Sequence, residues 1–154
     1  MTDLYLYVDN EDSTGAWDTA GSPPYLGVQD EPTNFISDND RNNLSGVFSF
    51  EGTALSSEVI NSVTLYIYAY GVQSTDFDTL VGATSTGLGP PGSWGWEAVD
   101  VSGILTTWAQ INAATLSFAR GNTTNEAGVD CAYLLIDYQG AEPSSSVSPS
   151  VSPS

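Results

Sequence analysis

The run VINSVTLYIYAYGV at 59–72 alternates almost without a break. Val63, Leu65, Ile67 and Ala69 fall on one side, and Thr64, Tyr66, Tyr68 and Tyr70 fall on the other. A two-residue period sends successive side chains to opposite faces of a strand, and β-branched and aromatic residues suit a pleated, half-covered surface. The aliphatic side then needs a second layer to cover it. DLYLYV at 3–8 repeats the pattern in miniature, with Leu4, Leu6 and Val8 opposed to Tyr5 and Tyr7.

Further strands are expected at YLGVQ (25–29), GVFSFE (46–51), DTLVGAT (78–84), EAVDV (97–101), ATLSFAR (114–120) and DCAYLLIDY (130–138). Between them stand SPP, SDNDRNN, GLGPPGS and RGNTTNEAG, clusters of residues that favour turns. One segment has a helical period, VSGILTTWAQIN at 101–112, with Ile104, Leu105, Trp108 and Ile111 spaced by threes and fours. Ser102 is its expected cap and Gly103 weakens it. Short strands joined by short turns predict an all-β chain: an antiparallel, jelly-roll-like β-sandwich with one short connecting helix. The sandwich domain is expected over 1–140. The segment 141–154, AEPSSSVSPSVSPS, has no aromatic residue and only isolated valines. It cannot bury enough surface to offset its ordering entropy, which predicts a Ser/Pro-rich disordered tail or linker.

Composition removes several chemistries. Of 154 residues 19 are acidic and 2 basic, Arg41 and Arg120, for a net charge of −17. Such a chain repels phosphate backbones and anionic lipid, so neither nucleic acid nor membrane is an expected partner, whereas cations and basic surfaces are attracted. With no histidine and no lysine, the commonest general base, imidazole metal ligation and Schiff-base chemistry are all missing. Cys131, the one cysteine, lies in an alternating apolar segment and reads as a small buried hydrophobe. The first residues, MTDLYLYVDN, lack a basic stretch followed by a long apolar one, so no signal peptide is expected there.

Two places have the residue types of a site. In SDNDRNNLSG (37–46), Asp38, Asp40 and Asn42 are spaced like the first ligands of an EF-hand calcium loop. The twelfth position counted from Asp38 is Ser49, within a strand, where an EF-hand needs a glutamate and a helix; that motif is therefore excluded. A structural calcium held by Asp38, Asp40 and Asn42, with Asp30 or Glu31 nearby, stands against a solvated acidic turn bonded to its own backbone. No other cofactor is expected. In GPPGSWGW (89–96), Trp94 and Trp96 stand two apart and share a strand face. Exposed, they would stack sugar rings beside hydrogen-bonding carboxylates; buried, they would fill the sandwich. The row Tyr66, Tyr68 and Tyr70 has the same two readings. Neither a nucleophile elbow nor a phosphate loop is present, and no carboxylate pair is placed across a cleft by the sequence, so an enzyme is not expected.

Taken in order, YLGVQD, SFEG with VINSVTLYIYAYG, VDVSGILTTWAQINAATLSFARG and CAYLLIDYQ form a pattern. It resembles the jelly-roll minor structural proteins of tailed bacteriophages, and it is similar to the carbohydrate-binding-like DNRLRE domains. The resemblance spans about residues 4–139 and is carried by the long tyrosine strand, the Val99–Asp100–Val101–Ser102 approach to Trp108, and the closing strand. INAATLSF departs from the DNRLRE pattern after that tryptophan. The resemblance implies a non-enzymatic virion protein, a capsid decoration, neck or tail-associated module, exposed on the particle and packed on other virion subunits or copies of itself, with glycan as a further partner. A carbohydrate-binding module and a self-assembling extracellular filament subunit are the alternative readings.

Overall fold

The computed structural model describes residues 2–20, Leu26 and residues 35–140. In chain order these hold β1 (Thr2–Ser13), β2 (Asp18–Ala20), β3 (Phe35–Asp38), β4 (Val47–Phe50), β5 (Val59–Tyr70), β6 (Phe77–Val81), β7 (Thr84–Ser85), β8 (Gly95–Asp100), α1 (Trp108–Asn112), β9 (Thr115–Arg120) and β10 (Ala127–Gln139). Every ladder between them is antiparallel. The fold is an antiparallel β-sandwich with one tiny helix.

The first sheet is built on β10. One side of β10 pairs along its length with β5, which in turn pairs with β8 at the edge. Its other side is divided, β3 taking Ala127–Val129 and the first half of β1 taking Tyr133–Tyr138. The second sheet runs β1–β4–β9–β6–β7. β1 belongs to both: Thr2–Tyr7 pair with β10, and beyond Tyr7 the strand passes to β4 with two register shifts. Bulges bend strands and increase their twist, which lets one strand turn a sandwich corner.

The aliphatic side of β5 faces inward as its alternation requires. Val63, Leu65, Ile67 and Ala69 are fully buried, and they join Leu6, Val8, Phe48, Leu116, Phe118, Leu134 and Ile136 in one core. Each such large side chain taken from water contributes about 1.5–3 kcal/mol. Trp17 packs inside against Phe77 and Phe118, and Trp108 packs against Tyr138 while donating its indole N–H to Glu58 O at 2.9 Å.

Several boundaries differ from the sequence reading. The helix covers Trp108–Asn112 only, and its cap is Thr107, whose hydroxyl accepts from Gln110 N, not Ser102. Ser102 instead accepts the Val63 N–H at 2.9 Å, so it anchors the chain to β5. Gly103 and the β-branched pair Thr106–Thr107 explain why the helix starts late. The segment 78–84 divides into β6 and β7 around Gly82, whose φ of +61° suits glycine. β2 and β3 were not foreseen. Apart from Leu26, which stands in a turn, the expected strand at 25–29 lies outside the described residues, as does the tail at 141–154.

Candidate functional site: an aromatic face on the outer side of the first sheet

Cross-strand register decides which side chains meet, because residues directly opposite one another share a face. Tyr66 stands opposite Tyr133, which stands opposite Tyr7; Tyr68 stands between Trp96 and Cys131; Tyr70 stands opposite Gly128. The partners of the inward residues of β5 are themselves inward, so all these side chains project from the outer side. Trp94 precedes β8 and joins them from the loop, and Phe35 joins from β3. Among the described residues the result is one connected set of nine rings: Phe35, Trp94, Tyr70, Tyr68, Trp96, Tyr66, Tyr133, Tyr7 and Tyr5.

The rings are packed on each other before they meet any ligand. Tyr66 and Tyr133 are nearly parallel, at 11° and 4.9 Å between centroids, and Tyr68 and Trp94 at 13° and 5.4 Å. Such pairs turn ring faces toward one another and leave edges and hydroxyls outermost. Two rings stay open to solvent: Trp96 is 42% exposed and Tyr5 is 48% exposed. Each lies 5.5 Å from Tyr133 by centroids. An open indole and an open phenol flanking a tyrosine ridge can stack on apolar ring faces, while the surrounding hydroxyls serve as donors and acceptors.

The layer is dense enough to perturb its own ionisation. Burial above all, then the hydrogen bond to Glu126 and its charge, pushes the Tyr70 hydroxyl up; Ser37 and Arg120 pull the other way. Burial and the neighbouring Tyr66, Tyr7, Tyr5 and Cys131 raise Tyr133, and burial with Cys131, Tyr5 and Glu51 raises Tyr7. Cys131 is buried as its apolar setting suggested, but beneath this outer layer and not in the sandwich core. Gly128 makes room for the layer, since a Cβ there would lie 2.5 Å from Tyr70 Cε1 and 2.7 Å from Ile36 O.

All five aromatic candidates, Trp94, Trp96, Tyr66, Tyr68 and Tyr70, therefore stand together on this face. Tyr5, Tyr7, Tyr133 and Phe35 were missed as members. The tyrosines of β1 were legible as an outward row, but only the fold joins that row to β5 through β10.

The acidic loop is organised differently. Asp38 ends β3 and is buried; its carboxylate accepts Asp40 N–H at 3.0 Å and the Asn43 amide at 3.2 Å, with Arg120 Nε 3.8 Å away. Asp40 and Asn42 are exposed, and Asn42, with φ of +62°, takes the left-handed turn position. Asp38 thus closes the turn and holds the buried Arg120. Among the described residues no group of three or more acidic or cysteine side chains is arranged to hold a metal ion. Asp30 and Glu31 lie outside them.

A second buried carboxylate, Asp76, organises the neighbouring loops. It accepts Val72 N–H at 2.7 Å, Gln73 N–H at 3.0 Å, Thr123 Oγ1–H at 2.9 Å and the Asn125 amide at 3.1 Å. Burial opposes its charge, but these bonds win and hold its carboxyl below the usual range. Arg120 in turn donates to Asp40 O, Thr123 O and Asn125 O. Both networks fasten loops.

No family model matches the sequence, and no curated protein matches it. Among solved structures, the chain is similar to the CBM36-1 domain of a multidomain xylanase from the hindgut metagenome of Trinervitermes trinervoides. The two share 11% identity, with a TM-score of 0.46, over 91% of this chain and 100% of that chain.

Proposed function

We propose that this protein is a non-catalytic carbohydrate-binding module that uses the outer aromatic face of its first sheet. The observation that carries the reading is the nine-ring surface, with Trp96 and Tyr5 open at 42% and 48%. Soluble domains rarely leave so many contiguous aromatic rings at the surface without a ligand or partner for them. Sugar rings present apolar C–H faces for Trp96 and Tyr5 and hydroxyls for the phenols between them. A glycan array and pull-down on insoluble polysaccharides test this. Binding is expected for the native protein and lost in Trp96→Ala, and flat responses on both assays overturn the reading.

The resemblance over residues 4–139 supports a second reading of where the module works: on a tailed-phage particle, exposed to the medium, packed against other virion subunits. Mass spectrometry of purified particles would find the protein in them, and its absence from every particle fraction overturns that placement. In the filament reading β1 would complete a neighbour's sheet. Here β1 is paired on its own chain along both halves, with β10 and then β4, which favours a self-contained module.

A further inference from the structure

We infer that the aromatic face is built for amino sugars, namely glycans carrying free ammonium groups such as polymers of glucosamine; this rests on the carbohydrate-binding reading above. Among the described residues the face is bounded by carboxylates at both ends and carries no basic side chain. At one end Asp3 and Asp137 stand directly opposite each other, one step along the strands from Tyr5. At the other end Glu126 is hydrogen-bonded to Tyr70. The only basic side chains in the chain are Arg41 and Arg120. Arg120 is buried at 4% exposure beside Asp38, and Arg41 lies in the turn after β3.

Two like charges directly opposite in a ladder are unfavourable without a counter-charge. Asp3 of this pair is exposed, and an ammonium group bound there provides both a charge-assisted donor and the counter-charge. Aromatic faces add to the same preference, because an ammonium held over an indole or phenol is attracted by the ring quadrupole. A net charge of −17 raises the local concentration of polycations and repels uronic or sulfated glycans.

The test compares hexasaccharides of glucosamine, N-acetylglucosamine, glucose and glucuronic acid by calorimetry at about 0.15 M salt, where long-range attraction is largely screened. The expected result is roughly ten-fold tighter binding of the glucosamine oligomer than of either neutral one, and none of the glucuronic acid oligomer. Asp137→Asn removes the preference and keeps the neutral binding. Asp12→Asn keeps the preference, since Asp12 bonds Ser49 on the outer side of the second sheet and only the net charge changes. Equal affinity for charged and neutral oligomers, or equal loss of preference in Asp12→Asn, overturns the amino-sugar inference and leaves the carbohydrate-binding reading standing. Binding of none of the four, together with a flat array, overturns both.

Discussion

The indole of Trp96 meets the ring of Tyr133 edge-on, at 65° and 5.5 Å between centroids, although their strands are not neighbours. β8 pairs with β5 and β5 with β10, so Trp96 must lean across β5 to reach it. It does so beside Tyr68, its direct register partner, at 5.2 Å between centroids. The indole therefore lies over the layer and stays 42% exposed. Trp96→Ala should remove two aromatic contacts, with Tyr68 and Tyr133, each worth about 0.5–1.5 kcal/mol. Thermal unfolding of that variant is expected to shift by only a few degrees while polysaccharide binding is lost, which separates the ligand role from the packing role.

Gly128→Ala should cost about as much as Trp96→Ala even though it only adds one methyl group. Its Cβ would press on Tyr70 Cε1 at 2.5 Å and on the Ile36 carbonyl at 2.7 Å, and the second is backbone. Overpacking of this kind costs about 1–3 kcal/mol. Urea unfolding reads the loss, and a changed near-ultraviolet spectrum would report displacement of the Tyr70–Trp94 contact.

Asp76 links stability to acid. Its carboxyl is held below its ordinary value of 3.8, so its contribution is complete above that value and is lost as pH falls through the lower native one. Unfolding free energy measured between about pH 5 and pH 2 should fall in the native protein, and fall less in Asp76→Asn. At neutral pH Asp76→Ala leaves Val72 N–H and Gln73 N–H without their acceptor. A loss of about 3 kcal/mol is expected, read by denaturant unfolding.

At the alkaline end the sign reverses. Tyr7, Tyr70 and Tyr133 are raised above their ordinary 10.0, so the native state holds its phenolic protons more tightly than the unfolded one. Their contribution is complete below about pH 10 and is lost as pH climbs through the native values. Absorbance titration should show part of the tyrosine titrating late or only on unfolding, and Tyr70→Phe should reduce that late fraction.

Cys131 lies under the rings at 1% exposure. A thiol reagent should react with it in urea and hardly at all in native buffer. Tyr68→Ala removes the ring of its direct register neighbour, and the native reaction rate should then rise by an order of magnitude or more.

The alternation of 59–72 announced both sides of β5, because burial of one face follows from period two wherever a second layer covers it. What the alternation could not announce was the identity of the outer neighbours. Tyr7 and Tyr133 join Tyr66 through pairings that span most of the chain, and nothing local to DLYLYV or CAYLLIDY specifies them. The two tryptophans of SWGW were legible as sharing a face, but the choice between core and surface depended on which side β8 presents outward. For Asp38 the local spacing suggested ligands, while the partner that decides its role, Arg120, comes from β9. The helix was overextended because a three-to-four apolar spacing also arises in an irregular connection that drops Ile104, Leu105 and Trp108 onto one core.

The central strand of the first sheet, β10, is also the last strand of the described chain, and it bonds β1, β3 and β5 at once. During synthesis those three strands must wait, with their tyrosines and aliphatic residues uncovered, until residues 127–139 have left the ribosome. Pairings of such long sequence separation form slowly. The acidic residues spread among the strands then have a use before any ligand arrives, since mutual repulsion keeps unfinished chains from joining edge to edge.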